Sequence, residues 1–316
     1  MNLRLAPTIL CCLGSAACLA PVPDRPPGFL ATQDLYQHLA SPETPLAEKS
    51  VVPLVVPGAS WLEGDLEGFL PERTKFYYDL RGRGRSRPVA ARAAFTIESD
   101  VADLEVLRAQ KGWERIDLMG WAYAGGVAIR YALEHPERVG KLLLISPLPP
   151  RYEPYWLQFQ ERYGRRIDRE AIAALDHWRT SGRKSEDPEG YARAYTRITL
   201  ATFCFDPKDA SQARSYPFGT QAPDPERTVR INEGIFHRLG PWALDPLKLA
   251  GLELPVLILH GSEDLLPVEA SEEYVSRLPQ ARLEILRNCG RLPWVEDPDT
   301  FERLAMSFFA SDTGTR

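Results

Sequence analysis

Mostly apolar runs recur along the chain at 51–56, 75–80, 114–119, 141–146, 255–261 and 281–286. Runs of this length, rich in Val, Leu and Ile and bounded by turn residues, predict strands buried on both faces of a parallel sheet. Between them the pattern changes period. Residues 97–110 place Val101, Leu104 and Leu107 on one helical face. Near the C-terminus, Phe301, Leu304, Ala305, Phe308 and Phe309 do the same, after an Asp297–Pro298 pair suited to a helix start. Strands alternating with helices predict an α/β fold with a doubly wound, mostly parallel sheet.

The rhythm fails in two places. Residues 29–50 carry no clear pattern, so an opening hairpin is not legible and the sheet is expected to lack its first edge. Residues 151–249 are polar, aromatic and helical in pattern, with no strand run. They read as a helical cap inserted between two parts of a core, 51–150 and 250–312. Its aromatic residues, among them Tyr152, Trp156, Phe159, Phe203 and Phe236, are expected to pack the cap and in part to line a pocket beneath it.

Composition adds little to this outline. The chain has 316 residues, 44% hydrophobic and 26% charged, with a net charge of −5. That balance argues against a nucleic-acid partner. Residues 1–20 resemble an export signal, with Arg4, an apolar stretch and the small residues Ser15, Ala16 and Ala17. Cys18 stands where a bacterial lipoprotein would carry its lipid. Export is therefore expected (periplasmic, secreted or lipid-anchored), the alternative being a cytoplasmic protein with an apolar N-terminus. Any membrane contact would run through that anchor. Residues 21–50 are assigned to a proline-rich tether and the weakly patterned segment. Only two of the five cysteines, Cys204 and Cys289, lie outside the leader, so no disulfide framework is expected. No cofactor and no metal is implied.

The chemistry centres on Gly120–Trp121–Ala122–Tyr123–Ala124–Gly125–Gly126. A strand feeding a tight turn and a helix, with small residues at this spacing, is the setting of a nucleophile elbow, G-x-S-x-G. Here Ala122 holds the serine position. A second motif, Asp79–Leu80–Arg81–Gly82–Arg83–Gly84–Arg85–Ser86, lacks the Gly-Lys-Ser/Thr of a phosphate-binding loop. Its arginines either bind an anion or are solvated and paired in a tight turn.

With Pro57–Gly58, His260–Gly261–Ser262–Glu263–Asp264 and Cys289–Gly290–Arg291–Leu292–Pro293–Trp294, these motifs follow one another in a familiar order. Together they resemble the α/β-hydrolase superfamily, and within it the prolyl-aminopeptidase-type serine hydrolases. The resemblance runs from about residue 51 to 309. It implies a Ser-His-Asp triad beneath a cap. Carried over by position, Asp264 is the acid and is retained. Ala122 is the nucleophile position and Arg291 the base position, and neither residue can play its part. Arginine keeps a pKa above about 12, so it stays protonated at neutral pH. Losing such a serine or histidine costs about 10⁶-fold in kcat in a serine protease. The resemblance also implies an oxyanion hole from the backbone N–H groups of Ala59 and Tyr123, with Trp121 and Ser60 at the pocket. Arg291 is expected to pair with Asp264. Other nucleophiles and bases offer no second triad. Cys289 reads as a buried structural thiol, His260 as a satisfied core histidine, and His177 and His237 as cap residues. The sequence therefore predicts a hydrolase-fold protein without triad hydrolysis that binds a small molecule, peptide or protein. The alternative is an active enzyme of the same fold, such as a slow ester or peptide hydrolase, cyclase or lyase.

Overall fold

The computed structural model describes residues 35–40, 52–89, 95–214 and 225–310. The leader, Cys18 and the proline-rich tether lie outside the described residues. Seven strands form one sheet: β1 (Gln37–Ala40), β2 (Leu54–Pro57), β3 (Lys75–Tyr78), β4 (Ile116–Trp121), β5 (Val139–Ile145), β6 (Val256–Gly261) and β7 (Ala281–Leu286). Their spatial order is β1-β3-β2-β4-β5-β6-β7. All neighbours pair in parallel except β1 and β3. Every residue of β2 to β6 is buried, which is why these strands read as continuous apolar runs.

The helices are α1 (Ala59–Leu62), α2 (Ile97–Gln110), α3 (Ala122–Glu134), α4 (Tyr155–Arg166), α5 (Arg169–Thr180), α6 (Arg183–Glu186), α7 (Pro188–Phe203), α8 (Pro225–Arg238), α9 (Pro246–Ala250), α10 (Val268–Val275), α11 (Pro293–Glu296) and α12 (Pro298–Ala310). Helices α4 to α9 lie in sequence between β5 and β6 and make up the cap. Thr96 opens α2 by accepting a hydrogen bond from Ser99 N at 3.1 Å. The side chain of Asp297 does the same for Thr300 N before α12. At the far end of α12, buried Lys141 of β5 donates to the carbonyls of Phe308 and Phe309 at 2.9 and 3.1 Å. Those carbonyls have no acceptor role left within the helix, so the lysine both caps α12 and fixes it to the sheet.

Two expectations are corrected. The sheet does keep an antiparallel first edge, because β1 pairs with β3, Gln37 opposite Tyr78 and Ala40 opposite Lys75. The sheet thus begins within the weakly patterned stretch 29–50. An edge strand pairs through its main chain, and Leu39 is 46% exposed, so no apolar pattern marked it. The sequence after Pro57–Gly58 also reads as a short helix near Trp61 to Leu70, but α1 stops at Leu62. Gly64, Asp65 and Gly68 then carry the chain through turns, as their low helix propensity favours.

Candidate active site

The sheet reverses its direction of winding between β2 and β4. From β2 the chain moves outward to β3, which pairs with β1 at the edge, whereas from β4 it moves the other way to β5, β6 and β7. In open α/β sheets, the crevice beyond the carboxyl ends of the strands at such a reversal is where ligands bind. Here α1 follows β2 and α3 follows β4, so both helices begin at that crevice. Asp264 follows β6 and Arg291 follows β7, on the same edge of the sheet.

The turn from β4 into α3 is as tight as a nucleophile elbow requires. A Cβ on Gly120 would run into the backbone of Ala124 and Gly125. Ala122, the first residue of α3, has φ 50°, a conformation that costs an L-residue about 1–2 kcal/mol. The strained elbow is thus retained although its side chain is a methyl group. The N–H of Tyr123, in the first turn of α3, has no intrahelical acceptor; nor has that of Ala59 in α1. Gly58 opens α1 with φ 84°. These two helix starts sit on adjacent strands, the arrangement a two-donor oxyanion hole would need.

The arginine-rich loop braces this region. Asp79, buried, accepts from Ser60 N at 2.6 Å and from Arg85 N at 2.9 Å, and so caps α1 from outside the helix. Arg81 holds Asp103 of α2 through Nε at 2.7 Å and Nη2 at 2.5 Å, and Arg83 pairs with Asp100. Arg85 pairs with Glu63. Of the two readings open for this loop, the paired turn is the one observed for these three residues. Tyr123 joins the same network, its hydroxyl donating to Asp100 Oδ2 at 2.7 Å. Burial pushes the Tyr123 phenol far above its ordinary pKa, so it remains a neutral donor.

At the opposite side, Arg291 meets Asp264. Nη1 donates to Asp264 Oδ1 at 2.8 Å and Nη2 donates to the carbonyl of Ser146 at 3.1 Å. Both side chains are almost wholly buried, at 6% and 0% exposure. Burial alone would raise the Asp264 pKa, but the Arg291 charge together with the other groups around the carboxyl, the Leu266 N–H among them, outweighs it and holds the carboxyl below its ordinary value. Leu266 N also donates to Asp264 Oδ1, at 2.9 Å, while Oδ2 has no partner among the described residues. Above the guanidinium lie two cap rings, Phe159 at 5.6 Å and Phe203 at 6.0 Å. Trp121 holds the backbone of the same residue, its indole N–H donating to Arg291 O at 2.9 Å. Its ring stacks edge-on with Trp61, Phe203 and Trp294.

The loop that carries Arg291 is held by a residue the sequence did not single out. Glu296 accepts from Gly290 N at 2.9 Å, Leu292 N at 3.2 Å and Phe205 N at 2.5 Å. Its only signal was an acid in an otherwise apolar turn. Arg291 N donates to Phe203 O at 2.6 Å, an approach so close that a Cβ on Gly290 would collide with that carbonyl. The other candidate groups are occupied elsewhere. Burial pushes the Cys289 thiol far up, away from nucleophilic reactivity. His260 is buried between Ser271 Oγ at 2.8 Å and Leu266 O at 3.2 Å, and burial lowers its pKa. His177 is exposed on α5. The side chain of His237 lies outside the described residues.

Residues 66–298 match the family model described as the alpha/beta hydrolase fold. A proline iminopeptidase of Lactobacillus delbrueckii subsp. lactis is 26% identical over 256 residues, covering 76% of this chain and 81% of that protein. A 2-hydroxymuconate semialdehyde hydrolase of Pseudomonas putida is 25% identical over 241 residues, 73% of this chain and 75% of its own. The crystal structure of a proline iminopeptidase from Mycobacterium smegmatis superposes with a TM-score of 0.59 at 19% identity, covering 87% of this chain and 93% of that one. The element order, the crevice at the strand reversal and the family match agree: the chain belongs to the α/β-hydrolase fold family.

Proposed function

We propose that this protein uses the hydrolase fold to bind a small molecule or peptide in its capped crevice, or a protein on its surface, without Ser-His-Asp hydrolysis. One arrangement carries the reading. At the base position a buried guanidinium is tied to Asp264 Oδ1 and to the Ser146 carbonyl, and the elbow ends in a methyl group. Proton transfer at neutral pH needs a group that titrates there, and arginine does not. Attack on a carbonyl needs a nucleophile, and Ala122 offers none. Phe159 and Phe203 lie over the guanidinium and Trp121 holds the Arg291 carbonyl, which suits a fixed wall better than a moving base. Export, with or without lipid on Cys18, belongs to the proposal and rests on residues 1–20 alone.

A second reading draws support from the relatives, which are named as a peptidase and a hydrolase. In it the protein is an active enzyme, a slow ester or peptide hydrolase, cyclase or lyase. It would work by positioning and by the N–H groups of Ala59 and Tyr123. Purified protein assayed on aryl esters and a proline anilide, beside the double variant Ala122→Ser/Arg291→His, separates the two. The binding reading expects an inert natural protein and turnover in the double variant. Turnover by the natural protein well above the uncatalysed rate overturns it in favour of the second reading.

A further inference from the structure

A second concavity lies in the cap, away from the elbow. It has a volume of about 380 Å³ and is lined by Arg166, Asp168, Arg197, Ile198, Ala201 and Pro207. Three elements build it: the last turn of α4, the loop into α5, and the outer face of α7 with the turn that follows. Ile198, Ala201 and Pro207 give it an apolar floor and side, and the size suits a small metabolite.

Its lining carries two arginines and one carboxylate. Arg197 has no hydrogen bond or ion pair among the described residues, although four-residue spacing along α7 gives its neighbour Arg193 a partner in Glu189 at 3.2 Å. Arg166 is held only loosely, by the Thr202 carbonyl at 3.5 Å and by half-exposed Glu263 at 3.8 Å. The one carboxylate in the lining, Asp168, turns Oδ1 to the N–H groups of Glu170 and Ala171 at 3.0 and 2.9 Å. That oxygen caps α5; the carboxylate keeps its charge, so the two arginines of the lining exceed its carboxylates by one. Two guanidiniums beside apolar walls match a ligand with an anionic head and a short apolar body.

We infer that this cap groove is a binding site for a small acidic molecule, a carboxylate or a phosphate monoester, held by Arg166 and Arg197. The chemistry common to both is an oxyanion that accepts from a guanidinium fork. Calorimetric titration of the full chain with benzoate and with phenyl phosphate tests it, benzyl alcohol serving as the uncharged control. Saturable binding of either anion is expected, with the alcohol inert, and the stronger of the two identifies the head group. Arg197→Glu is expected to weaken that binding by more than about tenfold. Because Arg197 is exposed and holds no partner among the described residues, the same variant keeps the melting temperature of the natural protein. Three results overturn the inference. They are the absence of saturable binding by both anions, equal binding of benzyl alcohol, and binding that survives Arg197→Glu unchanged. The last would place the anion elsewhere, for example at Arg291.

Discussion

Arg291 and Asp264 are a buried pair, and what either contributes depends on the other remaining in place. Removing one partner strands the second as an uncompensated charge, at a cost of about 3–5 kcal/mol. Arg291→Met is therefore expected to lower stability by that order in urea unfolding at neutral pH, and Asp264→Asn added to it should recover part of the loss. The pH dependence has a definite sign. The folded Asp264 pKa is depressed, so its contribution is present above the unfolded value, about 3.9, and is lost as pH falls through the folded value. In Arg291→Met the lone buried carboxyl titrates at higher pH instead. The stability gap between the two proteins should be widest near neutrality and close in acid; a gap constant with pH would count against a charge pair. Ala122 behaves differently. Its φ of 50° is already adopted, so Ala122→Ser adds a hydroxyl without new backbone strain. Its half-buried site predicts a change within about 0.5 kcal/mol, read from the urea midpoint.

At the scale of elements, the strands were legible because β2 to β6 are buried along their whole length, so apolar runs and sheet positions coincide. The span of α2, residues 97–110, follows its periodicity and cap. What the sequence concealed were elements held by pairing alone, such as β1, and partners far apart in the chain. Nothing local says that Arg81 reaches Asp103, Arg83 Asp100, or that Asp79 caps α1. The base-position loop is another such case, since Glu296 organises it through three backbone N–H groups from two segments. Glu296→Ala leaves those donors unpaired in a buried setting, at about 1–3 kcal/mol for each group not reached by water. Amide exchange at Gly290 and Leu292 should speed up sharply. Glu296→Gln keeps one acceptor oxygen and should lose less. Burial raises the Glu296 pKa, so its folded-state advantage is full below the unfolded value and lost as pH rises through the folded one. Glu296→Gln should remove that part of the decline, which urea midpoints across the mildly acidic range would reveal.

On the scale of the whole molecule, the question is whether cap and core unfold together. They share more than the chain crossings at residues 150 and 250. Arg162 of α4 donates to the carbonyls of Asp264 and Leu266 at 2.9 and 3.4 Å, tying the cap to the acid loop. Tyr155 donates to Glu273 of α10 at 2.5 Å, and Arg151 joins the same carboxylate at 3.0 Å. Arg227 of α8 donates to Gly82 O at 2.9 Å, and Arg291 sits under Phe159 and Phe203. Interfaces between parts of a chain are usually loose and polar, and independent motion is the default. This one is polar as well, but its bonds converge on the loops that carry Asp264 and Arg291. Opening the cap therefore exposes the buried ion pair. That coupling predicts one cooperative transition, with tryptophan fluorescence and far-UV circular dichroism giving the same midpoint. The tryptophans can report on both parts, since Trp156, Trp178 and Trp242 lie in the cap and Trp61, Trp113, Trp121 and Trp294 in the core. Arg162→Ala combined with Glu273→Ala cuts two of the ties, with one change on the cap side and one on the core side, and should separate the midpoints, the cap melting first. If the double variant still unfolds in one step, the aromatic cover over Arg291 is enough by itself to hold the cap down. If the natural protein already shows two transitions, the cap is an independent lid and the ion pair does not depend on it.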